Sequence, residues 1–145
     1  MAEFVSDIKT ILHNDADVYT ILSDLNNLEL VRDRIPEDKI KEFSFDKDSV
    51  TITVDPVGKV KFNVVEREPS KTIKFESEQL PFTLTMWIQL VSKGEADTKM
   101  KLTLKADLNP FIKPMVSKPL QQGLDKVADT LAQLPYGELI NRGKE

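Results

Sequence analysis

The sequence predicts an α+β fold: a curved antiparallel sheet of seven strands wrapped around a long C-terminal helix, in the order β-α-α-β6-α. Three observations predict it. Apolar residues alternate at a period of two over residues 40–108 with little interruption, which is the pattern of half-buried strands. The spacing then changes to three and four over residues 110–134, which is the pattern of a helix with one buried stripe. A short alternating stretch, 3–12, and a helical stretch, 14–34, precede both.

Residues 3–12 form the expected first strand. Asn14 is a suitable N-cap for the first helix, and Asp15 and Asp17 follow where carboxylates favour the positive end of the helix dipole. Val18, Ile21, Leu22 and Leu25 fall on one helical face. Asn26 and Asn27 interrupt, residues 28–34 form a second short helix, and Pro36 ends it. The strands follow. Phe43 and Phe45 precede a turn at 46–48, Val50, Ile52 and Val54 precede a turn at 55–58, and Val60, Phe62 and Val64 precede a turn at Pro69-Ser70. Ile73 and Phe75 come next, and then the two longest runs. In one, Phe82, Leu84, Met86, Ile88 and Leu90 alternate with Thr83, Thr85, Trp87 and Gln89; in the other, Met100, Leu102, Leu104 and Ala106 alternate with Lys99, Lys101, Thr103 and Lys105. Such alternation marks antiparallel strands with one covered and one solvated face.

Asn109-Pro110 opens the terminal helix as a cap followed by proline. Its apolar residues Ile112, Val116, Leu120, Leu124, Val127, Leu131 and Leu134 step by three and four, and Pro114 and Pro119 predict a bend in its first half. A bent helix does not pack flush on a sheet, so space is expected beneath it. The expected organisation is one domain over residues 1–136 with a flexible tail over 137–145, whose mix of charge and glycine predicts fraying.

Composition narrows the function. The 145 residues include 20 basic and 24 acidic side chains, a net charge of −4, which disfavours bulk attraction to nucleic-acid phosphates. There is no cysteine, so disulfides and thiolate metal sites are excluded. The N-terminal residues have no continuous apolar run, so neither a signal peptide nor a transmembrane segment is expected, and a cytoplasmic location is the expectation.

With this order of elements, the chain resembles the START-like (SRPBCC) superfamily, which includes the birch-pollen allergen family and the polyketide cyclase/dehydrase and lipid-transport proteins. The resemblance covers about residues 3–135 and is carried by DADVYTILSDLNNL, DPVGKVKFNVVEREPSKTIKFES and NPFIKPMVSKPLQQGLDKVADTLAQLP. It implies a helix-grip fold with a deep cavity for lipids, steroids, polyketides or other apolar ligands. It does not imply one activity, since members include carriers, aromatase/cyclases, hydroxylase ligand domains and chaperone activators. Cyclases of this fold place ionisable groups in the cavity, whereas the inward-facing set here is apolar, which argues against cyclase chemistry.

The catalytic inventory of the sequence is otherwise empty, and no metal or cofactor is expected. His13 is the one histidine, beside Asp15 and Asp17, which helix capping already engages. Glu66/Glu68 and Glu76/Glu78 are strand pairs on solvated faces or strand ends, and Asp46-x-Asp48 reads as a hairpin turn without the glycine or downstream Glu of a calcium loop. The expected ligand-binding set is Phe62, Phe75, Leu84, Met86, Ile88, Leu102, Leu104, Met115, Leu120, Gly123 and Leu124. Gly123 would let a ligand approach the helix backbone, and the methionines adapt to irregular shapes. These residues also suit a plain packed core. On the other face Lys59, Lys61, Lys74, Lys99, Lys101 and Lys105 surround Trp87, and Trp87, Lys99 and Lys101 are the candidate protein-partner residues.

The expected function is therefore non-enzymatic binding or transport of an apolar or amphipathic, lipid- or polyketide-like small molecule, with no nucleic acid as partner. A cyclase/dehydrase-like enzyme with Ser77, Gln79 or Glu66 as its polar groups is one alternative. A protein-interaction module using the outer sheet face is another.

Overall fold

The computed structural model describes residues 2–27, 43–54, 58–78 and 82–143. Eight strands form one sheet: β1 (Ala2–Val5), β2 (Lys9–Ile11), β3 (Phe43–Asp46), β4 (Ser49–Val54), β5 (Gly58–Glu68), β6 (Thr72–Glu78), β7 (Leu84–Gly94) and β8 (Asp97–Ala106). Helix α1 (Asp15–Ser23) follows β2, and α2 (Lys113–Ala132) and α3 (Tyr136–Gly143) close the chain. The strand order is β1-β8-β7-β6-β5-β4-β3, with β2 also paired to β8 and every pairing antiparallel. An antiparallel sheet carrying helices on one face is the predicted class. The predicted helix at 28–34 lies outside the described residues.

The opening strand departs from expectation in an instructive way. It is split at 6–8, where three residues of the edge face two of β8: Val5 lies opposite Thr103 and Lys9 opposite Met100. Ser6 bridges the irregularity. Its N–H donates to the Leu102 carbonyl, and its hydroxyl oxygen accepts from the Leu102 N–H, both at 2.9 Å. A side chain thus replaces the backbone acceptor that the bulge displaces, and the buried Leu102 amide stays satisfied.

Register defines the faces. Ile88 lies opposite Ile73 and Leu102, and Met86 opposite Phe75 and Leu104, so these share the inner face; Trp87 lies opposite Lys74 and Thr103 on the outer one. Ile73, Met100, Leu102 and Ala106 are fully shielded from solvent, and the buried apolar residues of sheet and helices form one cluster. Two turns are closed as predicted. Asp46 Oδ1 accepts from the Asp48 N–H at 2.9 Å, and the Lys71 N–H donates to the Glu68 carbonyl at 3.0 Å around Pro69 and Ser70. Ser70 takes the left-handed conformation, φ 59°, that this turn demands.

Asn14 caps α1 as expected, accepting from the Asp17 N–H at 2.8 Å. Arg67 ties the far end of that helix to the β3–β4 turn: it donates to the Ser23 and Lys47 carbonyls and pairs with Asp48 at 2.7 Å. At the start of α2, Asn109 Oδ1 accepts from the N–H groups of Phe111 and Ile112, capping the turn that leads into the helix. Pro114 falls in the first helical turn, where its missing N–H has no intrahelical partner to lose. It therefore does not interrupt α2, contrary to the sequence expectation, and Pro119 alone lies within the helix.

The end of the chain requires a correction. The segment expected to be a flexible tail from residue 137 is instead helical through Gly143. Tyr136 and Leu139 are buried, Ile140 packs against the core, and α3 lies against α1. The Tyr136 hydroxyl donates to the Leu131 carbonyl, and burial pushes its phenol well above the usual tyrosine range.

Candidate functional site

The inner sheet face and α2 bring together most of the predicted ligand-binding residues. Phe62, Phe75, Leu84, Ile88, Leu102 and Leu104 reach the inner face from four strands, and Leu120 and Leu124 meet them from the buried stripe of α2. Met86 is half-buried against the same cluster. Alternation on the strands and a spacing of four on the helix place them there.

Met115 is the exception. Its side chain is 64% exposed, so its expected place beneath the helix is wrong. The buried stripe is Val116, Leu120, Leu124, Ala128 and Leu131. At about 100° per residue, Met115 lies nearly opposite Leu124 on the solvent side.

Gly123 lies beside the stripe, half-buried, and among the described residues a Cβ added there would meet no heavy atom within 4 Å apart from its own helix backbone and chain neighbours. A small side chain at this position would therefore meet no crowding from the described residues. The other flank of α2 is held to the sheet edge. Lys9 pairs with Asp129, which raises the lysine pKa, chiefly through the hydrogen bond to that carboxylate, and Gln121 donates to the Val5 carbonyl at 3.2 Å. The close backbone approaches of α2 are to β1, β2 and β8. The helix is thus anchored along one sheet margin, with Gly123 on the flank away from it.

The polar groups on this inner face are already engaged. The Thr98 hydroxyl donates to the His13 carbonyl at 2.7 Å, Ser6 serves Leu102, and the Ser77 hydroxyl oxygen accepts from the Leu84 N–H at 2.9 Å. Ser77 was one of three polar candidates for enzymatic chemistry; of the others, Glu66 is exposed beside the bulge in β5 and Gln79 lies outside the described residues. Among the described residues, no group of three His, Asp or Glu side chains is placed to hold a metal ion.

Two concave sites lie elsewhere among the described residues. A partly open groove of about 330 Å³ lies between the end of β2 and the α2–α3 elbow, lined by Thr10, Ile11, Leu12, His13, Leu134 and Tyr136 among others. His13 Nε2 is 3.0 Å from Asp17 Oδ2, so the histidine joins the strand end to the first turn of α1. Helix α3 contributes Tyr136 and Gly137 to the lining of the groove. The second site, about 180 Å³, is a polar depression around Asp46, Ser49 and Lys61. The hydrogen bond from the Asp48 N–H holds the Asp46 carboxyl below its usual range, as expected of a turn carboxylate.

On the outer face, the ammonium groups of Lys74 and Lys105 each lie 5.6 Å from the centre of the Trp87 ring. Lys99 bonds Thr10 and pairs with Asp97, while Lys61 pairs with Glu78. Thr103 donates to Gln89. Trp87 is half-buried among these side chains.

No protein-family model matches the chain, and no curated protein matches it by sequence. Solved structures do match it by shape. Norcoclaurine synthase from Thalictrum flavum, solved in complex with dopamine and hydroxybenzaldehyde, superposes with a TM-score of 0.69 at 16% identity, over 91% of this chain and 86% of that one. A START superfamily protein from Mycobacterium smegmatis gives 0.66 at 16% identity, over 96% and 97%. A protein from Thermus thermophilus, TTHA0849, gives 0.65 at 16% identity, over 99% and 100%. Sheet order, closing helix and these superpositions agree: the chain has a START-like, helix-grip fold.

Proposed function

We propose that this protein binds an apolar or amphipathic small molecule between the inner sheet face and α2, and that it does so without catalysing a reaction on it. The observation that carries the reading is the uncrowded position of Gly123 on the flank of the buried stripe of Leu120 and Leu124, on a helix that packs over an apolar sheet face. Affinity would come chiefly from apolar burial, about 25 cal/mol per Å² removed from water. Ser6, Ser77 and Thr98 are engaged within the protein, which favours shape over polar contacts as the basis of selectivity. The likeness to norcoclaurine synthase, crystallised with two aromatic compounds, supports a small-molecule site in this fold. No ionisable side chain among the described inner-face residues offers a general acid or base beyond Lys9, which Asp129 engages.

The test is titration with a fluorescent fatty-acid analogue. Saturable one-to-one uptake is expected, weakened at least tenfold in Gly123→Leu and unchanged in Lys61→Ala on the outer face. Absence of saturable uptake, or equal uptake by Gly123→Leu, contradicts the proposal.

A second reading, a protein contact through Trp87, Lys99 and Lys101, draws support from the indole held on the outer face between two ammonium groups. The bonds of Lys99 to Thr10 and Asp97 weaken it, because a partner would have to replace them. Unchanged capture of a partner by Trp87→Ala removes it.

A further inference from the structure

The groove between the end of β2 and the α2–α3 elbow takes no residue from the buried stripe of α2, so it is separate from the site proposed around Gly123. Its volume, about 330 Å³, is at the small end of small-molecule sites. Ile11, Leu12 and Leu134 give it apolar walls. Leu12 is 80% exposed, so an occupant that covers it removes apolar surface from water.

Three polar side chains line the groove, and two of them are engaged within the protein. Thr10 Oγ1 accepts from the Lys99 ammonium at 2.8 Å, and the Tyr136 hydroxyl donates to the Leu131 carbonyl. The third is His13, the one histidine of the chain. Asp17 orients its ring. Oδ2 of Asp17 lies 3.0 Å from Nε2 and accepts from the Asn14 side-chain amide as well, while the Asp17 N–H donates to Asn14 Oδ1. A carboxylate only accepts, so Nε2 carries the proton, and Nδ1 of the neutral ring is an acceptor. Among the described residues, the bond to Asp17 is the ring's one hydrogen bond. Gly137 leaves the Cε1 edge of the ring uncovered: a Cβ added there would stand 3.6 Å from Cε1, in ordinary contact.

Charge selects the kind of occupant. The first turn of α1 carries Asp15 and Asp17, and the first turn of α3 carries Glu138. On the strands, Lys9 is paired with Asp129 and Lys99 with Asp97. A carboxylate ligand would face Asp17 across the same imidazole. A hydroxyl donates to Nδ1 and brings no charge into the groove.

We infer that this groove binds a neutral apolar hydroxyl compound, a small phenol or alcohol, whose O–H donates to His13 Nδ1 and whose body covers Ile11, Leu12 and Leu134.

The experiment is an NMR titration of the intact chain with 4-ethylphenol in mildly alkaline buffer, where an imidazole is neutral. With one histidine, the imidazole signals are unambiguous. They are expected to shift saturably, with the Gly137 amide moving in step. The methyl ether, 4-ethylanisole, lacks the donor and should bind about fivefold more weakly, the scale of one hydrogen bond; the anion 4-ethylbenzoate should bind no better than the ether. Gly137→Leu fills the groove beside the ring and should abolish the shift. His13→Phe, read at the Gly137 amide, should weaken the phenol about fivefold and leave the ether unchanged, a pattern that lost packing alone does not produce. Gly123→Leu should leave every one of these results as in the parent. Circular dichroism verifies the fold of each variant, and the ligand series with Gly137→Leu decides the matter if His13→Phe does not fold. Absence of a saturable shift, an ether or benzoate that binds as tightly as the phenol, or an undiminished shift in Gly137→Leu overturns the inference. So does a shift that Gly123→Leu removes, which would place the phenol against α2 and the sheet instead.

Discussion

Replacing Gly123 separates an open space beneath α2 from a packed one, because the two cases predict opposite signs. Gly123 is in the middle of α2, and a Cβ there meets no neighbouring element within 4 Å among the described residues. Alanine therefore gains helix propensity, about 1 kcal/mol over glycine in a helix interior, with no steric cost. For a domain of this size that corresponds to roughly a 3–4 °C rise in melting temperature. Leucine has nearly the propensity of alanine and adds apolar contacts in the open space, so without ligand it should stabilise at least as much. With ligand the order reverses. A ligand at 100 times its dissociation constant stabilises the wild type by about 2.7 kcal/mol, and Gly123→Leu occupies the space this ligand needs. The assay is thermal unfolding followed by circular dichroism, on protein stripped of lipid and on protein saturated with a fatty-acid analogue. The expected result is a stripped ranking of Leu and Ala above Gly, with the wild type alone gaining strongly from ligand. A destabilised Gly123→Ala would mean that the space is already filled and that no ligand site lies there.

Other predictions concern the frame around the site. Leu102→Ala removes a side chain with no solvent exposure and should cost about 2–5 kcal/mol in urea melts; a loss below about 1 kcal/mol would show that the inner face collapses freely. Tyr136→Phe removes the hydroxyl bonded to the Leu131 carbonyl and should cost about 1 kcal/mol near neutral pH. The same phenol has a raised pKa from burial, so the folded state keeps its proton where the unfolded chain loses it. Stability should then fall as pH rises past the ordinary tyrosine value of 10.0. Urea melts at neutral and alkaline pH should show a smaller loss in Tyr136→Phe than in the wild type, and equal losses would rule this group out. Asn14→Ala should cost about 1 kcal/mol, the worth of a helix N-cap, and an unchanged melt would show that the cap is dispensable.

How much of this was legible in the sequence depends on the kind of signal. The inner faces of β7 and β8 were readable because each strand is long, two-sided and antiparallel, so period two survives without interruption. The break between β1 and β2 was not. Ser6 looks like any polar residue in an alternating run, and its bonds to Leu102 depend on a neighbour 96 positions away. Met115 adjoins the buried Val116, and because one residue rotates a helix by about 100°, it faces solvent. Helix α3 had the right spacing at Tyr136, Leu139 and Ile140, but Gly137 and the charged residues after it suggested fraying. Tertiary packing against α1 overrides that weak local preference. For the candidate site, the apolar face was legible and the density of packing behind it was not, because alternation specifies which side is buried and not whether the burial is dense.

The most direct test of the central claim is native mass spectrometry of the wild type and Gly123→Leu, purified gently and in parallel from the same cells. The expected result is a discrete extra mass on the wild type that is lost on denaturation and is absent or strongly reduced on Gly123→Leu. A bare mass for both proteins, or the same extra mass on both, would contradict it.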